Sequence, residues 1–173
     1  MEQNNPVTQT MALLNVKILP LREGFKMPER STKYSAAFDV FVPEEIELKQ
    51  GRQIIPLGFA CEMSCLISMD NRTRSGYAAG GLKCYDKNGK EYRINADVKL
   101  GLIDSDYRGE VGTIIQVNDP LLDMTKLYLK KHQAISQLAF SYVPPVELIL
   151  ADKLSLTDRG QKGFGEADNE GVR

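Results

Sequence analysis

Gly101-Leu102-Ile103-Asp104-Ser105-Asp106-Tyr107-Arg108-Gly109-Glu110-Val111 reads as a hairpin-like segment with two carboxylates and an aromatic ring at its tip. Apolar residues enter it at Leu100 and Leu102. The chain leaves through Val111, Thr113, Ile115 and Val117 at every second position, the spacing of strands that flank a turn. Asp104, Asp106 and Tyr107 then stand at the open end. Ile103 sets Asp104 at the edge of a core, where partial desolvation and neighbouring charge tune a carboxylate as a base. The same residues also suit an ordinary turn, since Asp and Gly are common there.

Around this segment the composition is that of one mostly β domain. The chain has 173 residues, and its eight prolines and fourteen glycines are scattered through it. No stretch keeps a helical apolar period for more than about three turns, so helix should be minor. Twenty-two basic residues stand against 23 acidic ones. That balance gives no overall field for nucleic acid or a membrane surface, so any phosphate site must be local. Cys61, Cys65 and Cys84 are odd in number, with a single histidine, His132, in the chain. They are expected to be reduced thiols in a cytoplasmic protein. No run approaches the roughly 18 apolar residues of a membrane span, and residues 1–10 are expected to be disordered.

Residues 11–150 are expected to form the β domain. A first strand is predicted over Ala12–Leu19, a second through Phe38 and Val40 with Asp39 on the opposite face, and another over Gln53–Ala60. Arg72-Thr73-Arg74-Ser75-Gly76 places two guanidinium forks beside a hydroxyl and a glycine. Arg74 can meet phosphate oxygens bidentately, and Gly76 lets a backbone amide approach an anion. A basic, solvated turn has the same composition. Residues 83–99 read as an inserted polar surface hairpin whose Asn88-Gly89 suits a two-residue turn. Along Ala134–Tyr142, the face with Leu138, Phe140 and Tyr142 leaves Gln137 opposite with Ile135 and Ala139, as a satisfied inner residue or a ligand contact. Residues 151–173 read as a flexible arm. In it Arg159, Gly163, Phe164 and Gly165 suggest a flap over a nucleotide, although a polar disordered terminus is equally glycine-rich.

Taken in order, Ser35-Ala36-Ala37-Phe38-Asp39, Arg72-Thr73-Arg74-Ser75-Gly76, Gly101 to Gly109, Ile135-Ser136-Gln137-Leu138 and Asp158-Arg159-Gly160-Gln161-Lys162-Gly163-Phe164-Gly165 resemble the five motifs of trimeric dUTPases. The resemblance spans roughly residues 12 to 165, and the long polar insertion looks more like phage-borne members. It implies an all-β, jelly-roll-like fold assembled as a homotrimer, with shared sites closed by the carboxy-terminal arm. The reaction implied is dUTP plus water to dUMP and pyrophosphate, with Mg2+ on the triphosphate. Carried over by motif, Asp104 is the base, and Tyr107 lies under the deoxyribose. Arg74, Ser75, Gly76 and Gln137 hold phosphates, while Asp39 reaches the water shell of the metal. Arg159 meets the γ-phosphate, Phe164 stacks on uracil between Gly163 and Gly165, and main-chain groups from Val98 through Gly101 and Ile103 to Tyr107 read the base. Many members carry an asparagine at position 98 and a glycine at 162, where this chain has Val98 and Lys162. A dCTP deaminase on the same fold, and a nucleotide-gated regulator using residues 85–93 to hold a protein partner, are the competing readings.

Overall fold

The computed structural model describes residues 14–161. The expected helix-poor β fold is what forms, and each strand follows from short alternating or fully apolar runs broken by Pro, Gly and Asx turns. Strands β1 (Lys17–Pro20), β2 (Ala37–Phe41), β3 (Ile46–Glu47), β4 (Gly51–Pro56), β5 (Phe59–Glu62) and β6 (Ile67–Arg72) come first, followed by a short helix α1 (Ser75–Gly80). After them come β7 (Leu82–Tyr85), β8 (Glu91–Ile94), β9 (Ala96–Val98), β10 (Gly101–Ile103) and β11 (Gly112–Val117). A single-turn α2 (Leu121–Met124), β12 (Tyr128–Leu129) and β13 (Ala134–Tyr142) complete the order.

Four antiparallel sheets enclose one apolar core, with strand orders β1-β5, β10-β6-β13-β2, β4-β11-β9 and β3-β12-β7-β8. Ile55, Phe59, Met69, Ile115, Leu129 and Leu138 are among its fully enclosed side chains. At about 25 cal/mol per Å² of apolar surface buried, side chains of this size stabilise the fold by roughly 1.5–3 kcal/mol each.

Four local expectations need correction. The Gly101–Val111 segment is no simple hairpin, because β10 pairs with β6 while β11 pairs with β4 and β9. Its two ends therefore enter different sheets, and the turn bridges them. The strand expected over Gln53–Ala60 breaks at Leu57-Gly58, where Gly58 has φ +80° and turns the chain from β4 into β5. The 83–99 segment does form a hairpin, yet Cys84 and Ile94 lie in the core, so only its tip is a surface feature. That tip is a three-residue turn rather than a two-residue one. The Asp86 amide donates to the Lys90 carbonyl, Gly89 takes φ +81°, and Asp86 Oδ1 accepts from the amides of Asn88 and Lys90. Finally, β13 carries a bulge: Ala134 opposes Phe41 and Ser136 opposes Val40, so Ile135 is an extra residue. Ile135 and Ser136 are both buried, and Ile135 does not share the Gln137 face.

Candidate functional site

Two groups of predicted residues form. The first lies across three neighbouring strands. Gln137 on β13 stands opposite Asp39 on β2 and Arg72 on β6, and two residues past Arg72 the backbone is still extended at Arg74 (φ −81°, ψ 140°) before α1 begins at Ser75. Arg74 grips Asp39 bidentately, Nε to Oδ1 at 2.9 Å and Nη2 to Oδ2 at 3.1 Å. The Ser31 hydroxyl donates to the same Oδ2 at 3.1 Å. Gln137 Nε2 donates to the Thr73 carbonyl at 2.8 Å, tying β13 to the segment that carries Arg74. Ser75 and Gly76 occupy the first turn of α1, where backbone amides have no intrahelical acceptor. A cation, a hydroxyl and the start of a short helix thus meet at one edge, a set suited to phosphate oxygens.

The second group is the turn after β10. The Tyr107 amide donates to the Asp104 carbonyl at 3.2 Å and the Tyr107 hydroxyl to the Glu110 carbonyl at 3.1 Å. Its ring lies over Gly109, where a Cβ would fall 2.3 Å from the tyrosine oxygen, so only glycine permits this packing. Arg108 Nη1 folds back onto the carbonyls of Ser105 (2.7 Å) and Tyr107 (3.0 Å). The end of the turn is anchored from 88 residues away. Glu110 accepts Arg22 Nε at 2.6 Å and Nη2 at 3.0 Å, together with the Gly58 amide at 3.1 Å. The hydrogen bonds from Arg22 hold the Glu110 carboxyl below the usual carboxylate range, and the same pairing raises the Arg22 guanidinium. A pocket of about 250 Å³ opens beside the turn, lined by Asn71, Gly101, Ile103, Asp104, Tyr107 and Gly112 among others.

The two groups are strung along β6: Ile103 opposes Met69, Gly101 opposes Asn71 at the pocket, and Arg74 follows Asn71 by three residues, roughly 10 Å at about 3.3 Å per residue of extended chain. Val98, expected with the base-reading residues, pairs with Ile115 and lines a different, more polar pocket with Thr73 and Tyr77. Arg159 is exposed beside a turn closed by the Gly160 amide on Thr157. Gly163, Phe164 and Gly165 lie outside the described residues. A larger cavity, about 540 Å³ beside Ile18, Met27, Phe38 and Phe140, is apolar apart from Arg30 and does not suit a triphosphate.

Residues 87–167 match the dUTPase family model. The deoxyuridine 5'-triphosphate nucleotidohydrolase of Nautilia profundicola is 33% identical over 153 residues, covering 88% of this chain and 97% of that relative. The chain belongs to the dUTPase family. The Rickettsia bellii nucleotidohydrolase is 34% identical, over 90% of this chain and 96% of its own length. Among solved structures, the dUTPase of Staphylococcus bacteriophage 80alpha with dUpNHpp superposes with a TM-score of 0.72 at 21% identity, over 88% of this chain and 98% of that one. At that identity the likeness speaks for the jelly-roll fold alone.

For this dUTPase-family chain, sequence reading missed two polar residues at the pocket, Glu110 and Asn71. Glu110 had a signal, an acid two residues before the strand resumes, but its partner Arg22 could not be named without the fold. Asn71 sits inside a strand next to Arg72 and gave no sign of facing the pocket. Asp39, expected to reach the water shell of a metal, is the bidentate partner of Arg74.

Proposed function

We propose that this protein hydrolyses dUTP to dUMP and pyrophosphate, acting as a homotrimer on Mg2+-bound nucleotide. The observation that carries the reading is the pocket beside the Asp104–Tyr107 turn, in a chain of the dUTPase family. A water held by the Asp104 carboxylate gives up a proton to it as its oxygen bonds to the α-phosphorus. The bond from that phosphorus to the bridging oxygen breaks, and pyrophosphate leaves with the bridging electron pair. Such a transfer is mainly positioning and charge neutralisation, which a site of Arg, Ser and backbone amides supplies without a nucleophilic side chain. Tyr107, fixed over Gly109, forms the floor for the deoxyribose. Arg74, Ser75, Gly76 and Gln137 meet the phosphates, with Arg159, Gly163, Phe164 and Gly165 of the arm completing the enclosure.

Magnesium on the triphosphate supplies further charge neutralisation. Among the described residues no cluster of three or more His, Cys, Asp and Glu side chains gathers. Mg2+ keeps several waters and favours phosphate oxygens, so it needs no all-protein cage. Asp39 fits a role in that water shell. An ionised carboxylate offers about four acceptor positions, and three are taken by Arg74 and Ser31, which leaves one for a water.

The trimer is supported by apolar surface left uncovered beside the pocket. Exposed Leu100, Leu102 and Ile54 beside the pocket are apolar surface that such a contact would cover. The test is pyrophosphate release from dUTP, dTTP, dCTP and UTP with Mg2+. Release from dUTP alone supports the reading; no release, or ammonia from dCTP, would overturn it.

A further inference from the structure

The sheet β3-β12-β7-β8 turns one face to the core and the other away from it. Cys84 and Ile94 fill the inner side. Alternation therefore sends Lys83, Tyr85, Glu91 and Arg93 to the outer side, where Tyr85 pairs across the ladder with Tyr128. Both rings carry lysines. Lys130 Nζ stands 3.5 Å from the Tyr85 ring centroid with Lys83 Nζ at 5.5 Å, and Lys87 Nζ is 6.0 Å from that of Tyr128. A ring face attracts a cation, so ammonium groups that ordinarily sweep through solvent are set in place here. The carboxylates of this region are already engaged. Glu91 accepts Lys83 at 2.6 Å and Glu47 accepts Lys126 at 3.0 Å, while Asp86 takes the amides of Asn88 and Lys90 in the hairpin turn. Lys87, Arg93 and Lys130 have no carboxylate partner among the described residues. In a chain of formal net charge −1 this is a local positive surplus.

We propose that the outer face of the 83–99 hairpin and β12 docks an acidic segment of a partner protein, whose carboxylates meet Lys87, Arg93 and Lys130. Three strands at about 4.8 Å spacing and four residues at about 3.3 Å each make a platform of roughly 10 by 13 Å, the footprint of one short extended segment. Cations already seated on rings lose little side-chain freedom when a carboxylate pairs with them. A nucleic acid is the poorer fit. Its bases need bare ring faces to stack on, whereas Lys130 lies on Tyr85 and Tyr128 is 8% exposed. Its phosphates need an extended run of cations, and Glu47 and Glu91 interrupt this one. Charges that merely guard a sheet edge belong on the edge strand. Lys130 and Lys87 stand instead over Tyr85 and Tyr128, on the two strands inside the sheet. The docking face does not depend on whether the chain turns over dUTP.

Fluorescence anisotropy with the full chain measures binding of a capped hexaglutamate peptide, a capped hexaglutamine peptide and a single-stranded oligothymidylate. The intact protein should bind hexaglutamate and not hexaglutamine. Lys87→Gln/Arg93→Gln/Lys130→Gln should weaken that binding about tenfold or more, the sum expected of exposed ion pairs. Lys33→Gln/Lys49→Gln/Lys153→Gln removes the same charge elsewhere and should stay within about twofold of the intact chain. Equal loss in both triple variants would reduce the effect to bulk charge and overturn the proposal, as would absent hexaglutamate binding. Oligothymidylate bound more tightly than hexaglutamate, and released by the first triple variant, would overturn it in favour of a nucleic acid. Melting temperature and oligomeric state report whether each variant keeps its fold. Should the first triple variant fail to fold, Arg93→Gln and Lys130→Gln singly should each weaken hexaglutamate binding about threefold, and no change in either would overturn the proposal.

Discussion

Around Asp39 and Arg74 the side chains hold one another, through two guanidinium bonds and a serine hydroxyl. Around Asp104 and Tyr107 the main chain does most of the holding: an amide on a carbonyl, a phenol on a carbonyl, and a guanidinium folded over two more. On the proposed roles, the difference follows from what each region would meet. Phosphates are charged and tolerant of small shifts, so paired side chains of both signs suit them. A base and a sugar are neutral and differ by single atoms, so rigid backbone groups suit them better.

Substitutions can strain this contrast, the hardest test first. Asp104→Asn should lower turnover by about 10² to 10⁴, the range of a positioned general base. Binding of a non-hydrolysable dUTP analogue should survive, as calorimetry would register. Lost binding would mean that Asp104 shapes the pocket instead of acting on water. Arg74→Ala removes a charge-assisted contact worth about 1.5–3 kcal/mol, so KM should rise about 10- to 100-fold by steady-state kinetics. It also leaves Asp39 with Ser31 alone, and Arg74→Lys should rescue only part because a lysine cannot reproduce the fork.

On the backbone-held side the expected effects are smaller. Glu110→Gln should cost about 1 kcal/mol or less in unfolding free energy, because both partners in the ion pair are partly solvated. The sign with pH is fixed. Glu110 titrates lower folded than unfolded, so its contribution is present above the ordinary carboxylate range and is lost as pH falls through its depressed value. Melting curves of the two proteins should therefore differ at neutral pH and converge as pH falls below the ordinary carboxylate range. Since Tyr107 hangs on the Glu110 carbonyl, the preference for dUTP over UTP should also slip by a few fold. Smallest of all, replacing Lys87-Asn88-Gly89 by Gly-Asn-Gly should leave dUTP turnover within about twofold. Removing Cys84 or Ile94 with it should not, because those two side chains are core.

Much of this was legible beforehand, and what was hidden has a common cause. The alternation of Val111, Thr113, Ile115 and Val117 identified β11, and the Arg-Ser-Gly string was found at a real structural edge, because short-range pattern reflects short-range geometry. Which sheet β10 joins depends on pairing with β6, 32 residues upstream at Met69–Asn71, and local alternation carries no record of that choice. The Arg22–Glu110 and Arg74–Asp39 pairs were invisible for the same reason. The bulge at Ile135 escaped notice because an extra residue inside an apolar strand leaves the composition of the strand unaltered.

That bulge has a bearing on length variation in this part of the chain. Ile135 is a residue the ladder does not count, so a chain lacking it could still set Gln137 opposite Asp39 and Leu138 opposite Phe38. The loss would be a void where an isoleucine had been, tolerable if neighbours grew to fill it. A deletion at Leu138 or Ala139 would instead rotate every following side chain to the other face. Between Ala134 and Tyr142, then, a gap at Ile135 in an aligned relative is compatible with the same β13 register, whereas a gap after Gln137 changes the face that every later residue presents.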